Sequence, residues 1–108
     1  MNPDITTLLA DMLLAMKNEV KKDWKEVQST AKDFLERRKA RLEMVIDFRV
    51  KGEITQEEFE SRMSDEKSIM ESELLAMKVI SKAVAQKAAN AAIEVLEKAV
   101  KAAISAAL

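Results

Sequence analysis

Between Ile5 and Val50 the chain has no glycine and no proline, and between Thr55 and Leu108 it again has neither. Across 108 residues there is one glycine, Gly52, and one proline, Pro3. An all-β fold needs many turns and many β-branched or aromatic residues, and this chain has one place for a glycine-dependent reversal. The rest is dominated by Ala, Leu, Met, Glu and Lys, all strong helix formers. Apolar residues at 48% also set it apart from a disordered composition. The pattern predicts an all-α fold: a long antiparallel two-helix hairpin, with helices over about 3–50 and 56–107 and a turn near 51–55, as a single domain over 1–108. At 1.5 Å per residue each helix would be roughly 70 to 80 Å long.

The apolar spacing supports this reading. In the first half, apolar or small residues recur at Leu13, Met16, Val20, Trp24, Val27, Ala31, Leu35, Leu42 and Val45, and Arg38 fills the register position between Leu35 and Leu42. In the second half the stripe runs Phe59, Met63, Glu66, Met70, Leu74, Met77, Ser81, Val84, Ala88, Ala92, Val95, Ala99, Ala103 and Ala106. Repeated 4-4-3 steps give an 11-residue period, which suits a straight or slightly right-handed coiled coil. At the start of the first helix, Asn2 is placed to cap it, with Pro3 and Asp4 following. The charges agree with folding at Gly52. Residues 21–51 sum to +4 and meet residues 52–77 at −6, while residues 1–20 at −2 meet residues 78–108 at +3.

The turn itself, KGEITQEEFE, has the outline of a calcium loop, with Asp47, Gly52, Ile54 and Glu58 at matching positions. Two further positions that need oxygen ligands hold Arg49 and Lys51 instead, so no calcium binding is expected. Another reading accounts for all of it. Gly52 ends the first helix in the left-handed conformation. Thr55 and Glu58 form a capping box, and Ile54 with Phe59 forms the hydrophobic staple. The stretch from Leu42 to Met63 also resembles the SHOCT type of short bacterial helical module, through Gly52, Ile54, Thr55, Glu57, Glu58 and Phe59. The resemblance covers about a fifth of the chain. In that family the module usually lies at the C-terminal end of a larger protein, whereas here it is mid-chain and both helices run past it. It implies a role in oligomerisation.

The chain has no Cys and no His, so Cys/His zinc sites, disulfides, His bases and Cys nucleophiles are absent from its chemistry. The acidic residues Glu57, Glu58, Glu60, Asp65, Glu66, Glu71 and Glu73 read as a solvated face set against the basic one. No cofactor or metal is expected, and the protein is expected not to be an enzyme. The basic run Arg37 to Arg41 is flanked by Glu36 and Glu43, so nucleic acid is not an expected partner. Trp24 lies on the apolar stripe as a core residue. The N-terminal apolar stretch lacks a basic lead and contains Asp11, which argues against a secretion signal. No run approaches the roughly 18 uncharged residues of a membrane span. A soluble, cytoplasmic protein of bacterial or phage character is expected.

The two terminal regions are too apolar for one partner helix. Leu8, Leu9, Met12, Leu13 and Met16 spread over two adjacent stripes, and from Val79 to Leu108 the polar side is narrow. In the hairpin both regions lie at the end away from the turn. This end is expected to mediate self-association into a four-helix bundle or larger oligomer, through Leu9, Leu13, Met16, Trp24, Ala92, Val95, Leu96, Ala99, Val100 and Ala103. The expected function is a non-enzymatic assembly or interaction protein: a scaffold, adaptor, small structural component or inhibitor, acting as a homo-oligomer or on a protein partner. The alternative is an amphipathic protein of membrane or lipid surfaces, pore-forming on oligomerisation.

Overall fold

The structure, a computed structural model, describes residues 2–107. Four α-helices follow in chain order: α1 Ile5–Val20, α2 Trp24–Val50, α3 Gln56–Ala76 and α4 Lys82–Ala107, with a short 3₁₀ turn at Lys21–Asp23 between α1 and α2. The all-α class and the turn at 51–55 agree with the sequence. The two uninterrupted helices over 3–50 and 56–107 do not form. Each expected helix breaks near its middle, and the molecule measures 43 × 23 × 20 Å.

The long hairpin is in effect folded in half. α1 packs most extensively on α4, and α2 packs on α3, as folding at Gly52 requires. The two breaks then add contacts of α1 with α2 and of α3 with α4. The Asn2 side-chain amide donates to Asp47 Oδ1 at 2.8 Å, which places the start of α1 beside the end of α2. The two helices are therefore antiparallel. Both chain ends lie beside the 51–55 turn, not at the opposite end as the straight hairpin had implied.

The middle turn forms as the residues dictate. Gly52 has φ +77°. Its N–H reaches the Arg49 carbonyl at 3.1 Å, and the Glu53 N–H reaches the Phe48 carbonyl at 2.8 Å, the paired bonds of a Schellman ending. Thr55 Oγ1 accepts from the Glu58 N–H at 3.1 Å, and Glu58 Oε1 accepts from the Thr55 N–H at 2.9 Å. Phe59 is buried, and half-buried Ile54 packs against the same core. At the start of the chain, Asp4 rather than Asn2 is the cap. Its carboxylate accepts from the Thr7 N–H at 3.1 Å and the Thr7 hydroxyl at 2.6 Å.

The two additional reversals use no glycine. Lys21 ends α1 with φ +62°, and Lys78 follows α3 with φ +60°. Lys78 occupies the position after the helix that Gly52 occupies in the middle turn, its N–H bonded to the Leu75 carbonyl at 3.0 Å. Ser81 then starts α4, its hydroxyl accepting from the Val84 N–H at 3.2 Å. Positive φ is uncommon outside glycine, asparagine and aspartate. Core burial on both sides holds these two lysines there. Met16, Val20 and Trp24 flank the first reversal and are buried, as are Leu74 and Ile80 around the second.

One core runs through all four helices. α1 contributes Leu8, Leu9, Met12 and Met16, and α4 faces it with Ala85, Ala88, Ala89 and Ala92. Small residues on one helix let long ones on the other fill the gap without voids. The buried face of α4 is turned relative to the expected stripe. Ala85, Ala89, Ile93, Leu96 and Val100 are buried, whereas Val84, Val95 and Ala99 are only half-buried. The second reversal resets the register.

Removing the capping box with Thr55→Ala is expected to lower the unfolding free energy by about 1 kcal/mol in denaturant titrations. Acid sensitivity follows from three carboxyls held below their ordinary values: Asp4 by the Thr7 hydroxyl and amide, Asp47 by Asn2 and then Lys51, and Glu58 by the Thr55 amide and hydroxyl. A lowered folded-state value means that the stabilisation is complete above the unfolded values and is lost as pH falls through the folded ones. The melting temperature should therefore decline from about pH 5 downward. Glu58→Gln should flatten part of that decline when melts are followed by circular dichroism.

Candidate functional site

Two charged residues interrupt the apolar stripes, and the fold brings them together. Arg38 on α2 and Glu66 on α3 occupy register positions that are otherwise apolar along these two helices. Glu66 is 3% exposed. Arg38 donates through Nε to Glu66 Oε2 at 3.0 Å and through its NH2 group to Glu66 Oε1, a two-point pairing. Arg41, one turn further along α2, brings its Nε to 3.3 Å from Glu66 Oε1. The hydrogen bonds to Glu66 raise the Arg38 guanidinium above its ordinary range. No buried side-chain N or O atom among the described residues lacks a partner.

This cluster forms the floor of an open groove of about 330 Å³ between α2 and α3, lined by Arg38, Arg41, Val45, Arg62, Asp65 and Ile69 among others. The ion pairs hold two guanidinium groups in place on a largely polar surface. Among the described residues three large apolar side chains stand exposed, and one of them lines this groove. Ile69, 40% exposed, lies at one end, and Met44, 44% exposed, lies one turn beyond Arg41 on α2. The third, Leu14, is on α1. Further along the same face, Arg37 bonds Glu73 at 3.2 Å and lies over the Phe34 ring at 5.9 Å. Positive and negative groups are balanced along the groove, so it does not offer the one-sided charge that a polyanion needs.

A second groove, of about 370 Å³, lies where α2 ends, α3 begins and α4 ends. Phe59, Val100 and Ile104 form its apolar base, and Arg49, Glu94, Lys98 and Lys101 its rim.

The residues expected to form an apolar association surface are placed inside the single chain. Leu9, Met16, Trp24, Ala92, Leu96, Val100 and Ala103 are buried, and Leu13, Val95 and Ala99 pack half-buried against the same core. The wide apolar faces are covered by the chain's own helices. Of the turn residues, Gly52, Thr55 and Glu58 are exposed, Ile54 is half-buried and Phe59 is buried. Arg38 and Glu66 were visible in the sequence as interruptions of opposite sign, one per stripe, and that is the signal that could have paired them. Met44 and Ile69 lie off the stripes and carried no signal of their own.

No protein-family model matches the chain, and neither a curated protein nor a solved structure matches it. Among the described residues no three acidic, His or Cys side chains gather where they could hold a metal ion, and no helix is long and apolar enough to cross a membrane.

Glu66→Ala strands a guanidinium in a half-buried site and is expected to cost about 3 kcal/mol of stability. Replacing the pair together, Arg38→Met with Glu66→Leu, should recover most of that loss in the same denaturant measurement, because the desolvation of both charges is removed with them.

Proposed function

We propose that this protein is a non-enzymatic helical interaction module of the scaffold or adaptor kind, which docks a protein partner on its α2–α3 face. One observation carries the reading: Ile69 stands exposed in a groove whose arginines are fixed by a buried carboxylate, and exposed Met44 lies one turn beyond Arg41 on the same helix. Fixed polar groups next to an apolar side chain suit protein recognition, since arginine is among the residues that carry most binding energy at such surfaces and loses less freedom when already held. Balanced charge along the groove favours a protein segment over nucleic acid. The lipid-surface alternative draws on the apolar faces of α1 and α4, and in this fold both are turned into the core. The SHOCT-like stretch, Leu42 to Met63, forms the turn end of the same face, in keeping with an interaction role.

The test is a comparison of variants in cells and then with the purified partner. Ile69→Asp and Met44→Asp should each weaken binding by about tenfold or more in calorimetry, the factor carried by about 1.4 kcal/mol. Leu14→Asp, on α1, should bind as the wild type does. Equal binding by all three variants would remove the α2–α3 face from consideration.

A further inference from the structure

We infer that the two lysine reversals are hinges, and that the surface they conceal fits a second copy of this chain in a domain-swapped dimer. The inference is independent of the partner-docking face. Four observations carry it.

First, both reversals lie at the same end of the molecule, opposite the 51–55 turn. Opening them together converts α1 and α2 into one helix, and α3 and α4 into another. Second, both rest on a lysine at positive φ, +62° at Lys21 and +60° at Lys78, a conformation that side chains with a Cβ disfavour. Third, neither joint contains a helix-breaking residue, and the one local device at them is the Ser81 cap of α4. Neither Lys21–Asp23 nor the segment from Met77 to Ser81 holds a glycine or proline. Both lysines are exposed, so rotation buries no charge.

Fourth, most of the packing divides between the hairpin and the reversals, the smaller α2–α4 contact apart. The α1–α4 and α2–α3 pairings belong to the straight hairpin and survive opening. The α1–α2 and α3–α4 pairings depend on the reversals. Two straight hairpins laid antiparallel restore those pairings between chains, with the α1–α4 half of each copy covering the α2–α3 half of the other. The cost of opening reduces to loss of two turns in each chain and of translational freedom, and relief of positive φ at the two lysines of each chain offsets it. Leu9, Met16, Ala92, Leu96 and Val100 keep their α1–α4 packing within the chain, and the second copy covers what they now bury against α2 and α3.

The test uses the full chain, refolded from denaturant at low and at high concentration, with mass followed by light scattering. Because the chain has no cysteine, Gln56→Cys with Ser105→Cys adds a single dye pair for energy transfer. Both positions line one groove in the closed form. In the open form they are separated by about 70 Å of helix. Labelled chain is mixed with excess unlabelled chain, so transfer reports one molecule only. At high concentration the wild type should give a species of twice the 12.1 kDa chain mass, with low transfer. Lys21→Gly with Lys78→Gly accepts positive φ and weakens the straight helix, so dimer dissociation should rise roughly tenfold or more. Lys21→Ile with Lys78→Ile should move the balance toward the dimer, because a β-branched residue resists positive φ.

Three results would overturn the inference. One is a chain mass that never doubles in the wild type or the isoleucine variant. Another is a doubled mass with high transfer, which marks surface association of closed molecules. The last is low transfer that arises only with anionic phosphatidylserine vesicles and without doubling, which marks lipid as the occupant instead.

Discussion

The contact between α1 and α4 sets the rest of the architecture. Ala85, Ala88, Ala89 and Ala92 make one side of α4 nearly smooth, and Leu8, Leu9, Met12 and Met16 fill the space that this opens. Alanine offers little apolar area per residue, so such a helix is stabilised by close approach more than by the size of what it buries. Close approach demands that both helices also be covered on their outer flanks. The halves carrying α2 and α3 provide that cover, and the chain must reverse twice to bring them there. The reversals at Lys21 and Lys78 are thus consequences of burial demanded elsewhere, which is why they occur where local propensity gives no cause for them.

That origin explains what could and could not be read from the residues. The middle turn was fully legible, because a glycine, a capping box and a staple all state their geometry locally. The pairing of α1 with α4 and α2 with α3 was legible through charge. The breadth of the apolar faces at the two termini was legible too, and correctly indicated that one partner helix is not enough. Its consequence was not. A surplus of apolar surface can be covered by another molecule or by the same chain bent back, and helix propensity cannot decide between them, since tertiary packing overrides it. A lysine at φ +60° after α3 stands where a propensity argument expects glycine or asparagine.

The Arg38–Glu66 pair shows a different balance. A buried ion pair adds little stability compared with apolar residues of the same size. Its effect is on alternatives: sliding α2 against α3 by one turn would separate the charges and leave Glu66 buried alone. The apolar stripes of these two helices are regular enough to pack in more than one register. The pair favours one of them, and it gives the α2–α3 face a fixed set of polar groups at the same time. The candidate site is accordingly an outward extension of a device that aligns the core.

Gly52 shares its positive φ with the other two reversals, and the space around it is open. A Cβ added there would meet nothing within 4 Å. The position therefore sets no demand on volume and only one on chirality. A mirror-image residue with a side chain, such as D-alanine, would satisfy it as well as glycine does and would leave the unfolded chain with fewer conformations to lose. The one turn that the composition announces is, in physical terms, a place where the chain is short of handedness rather than short of room.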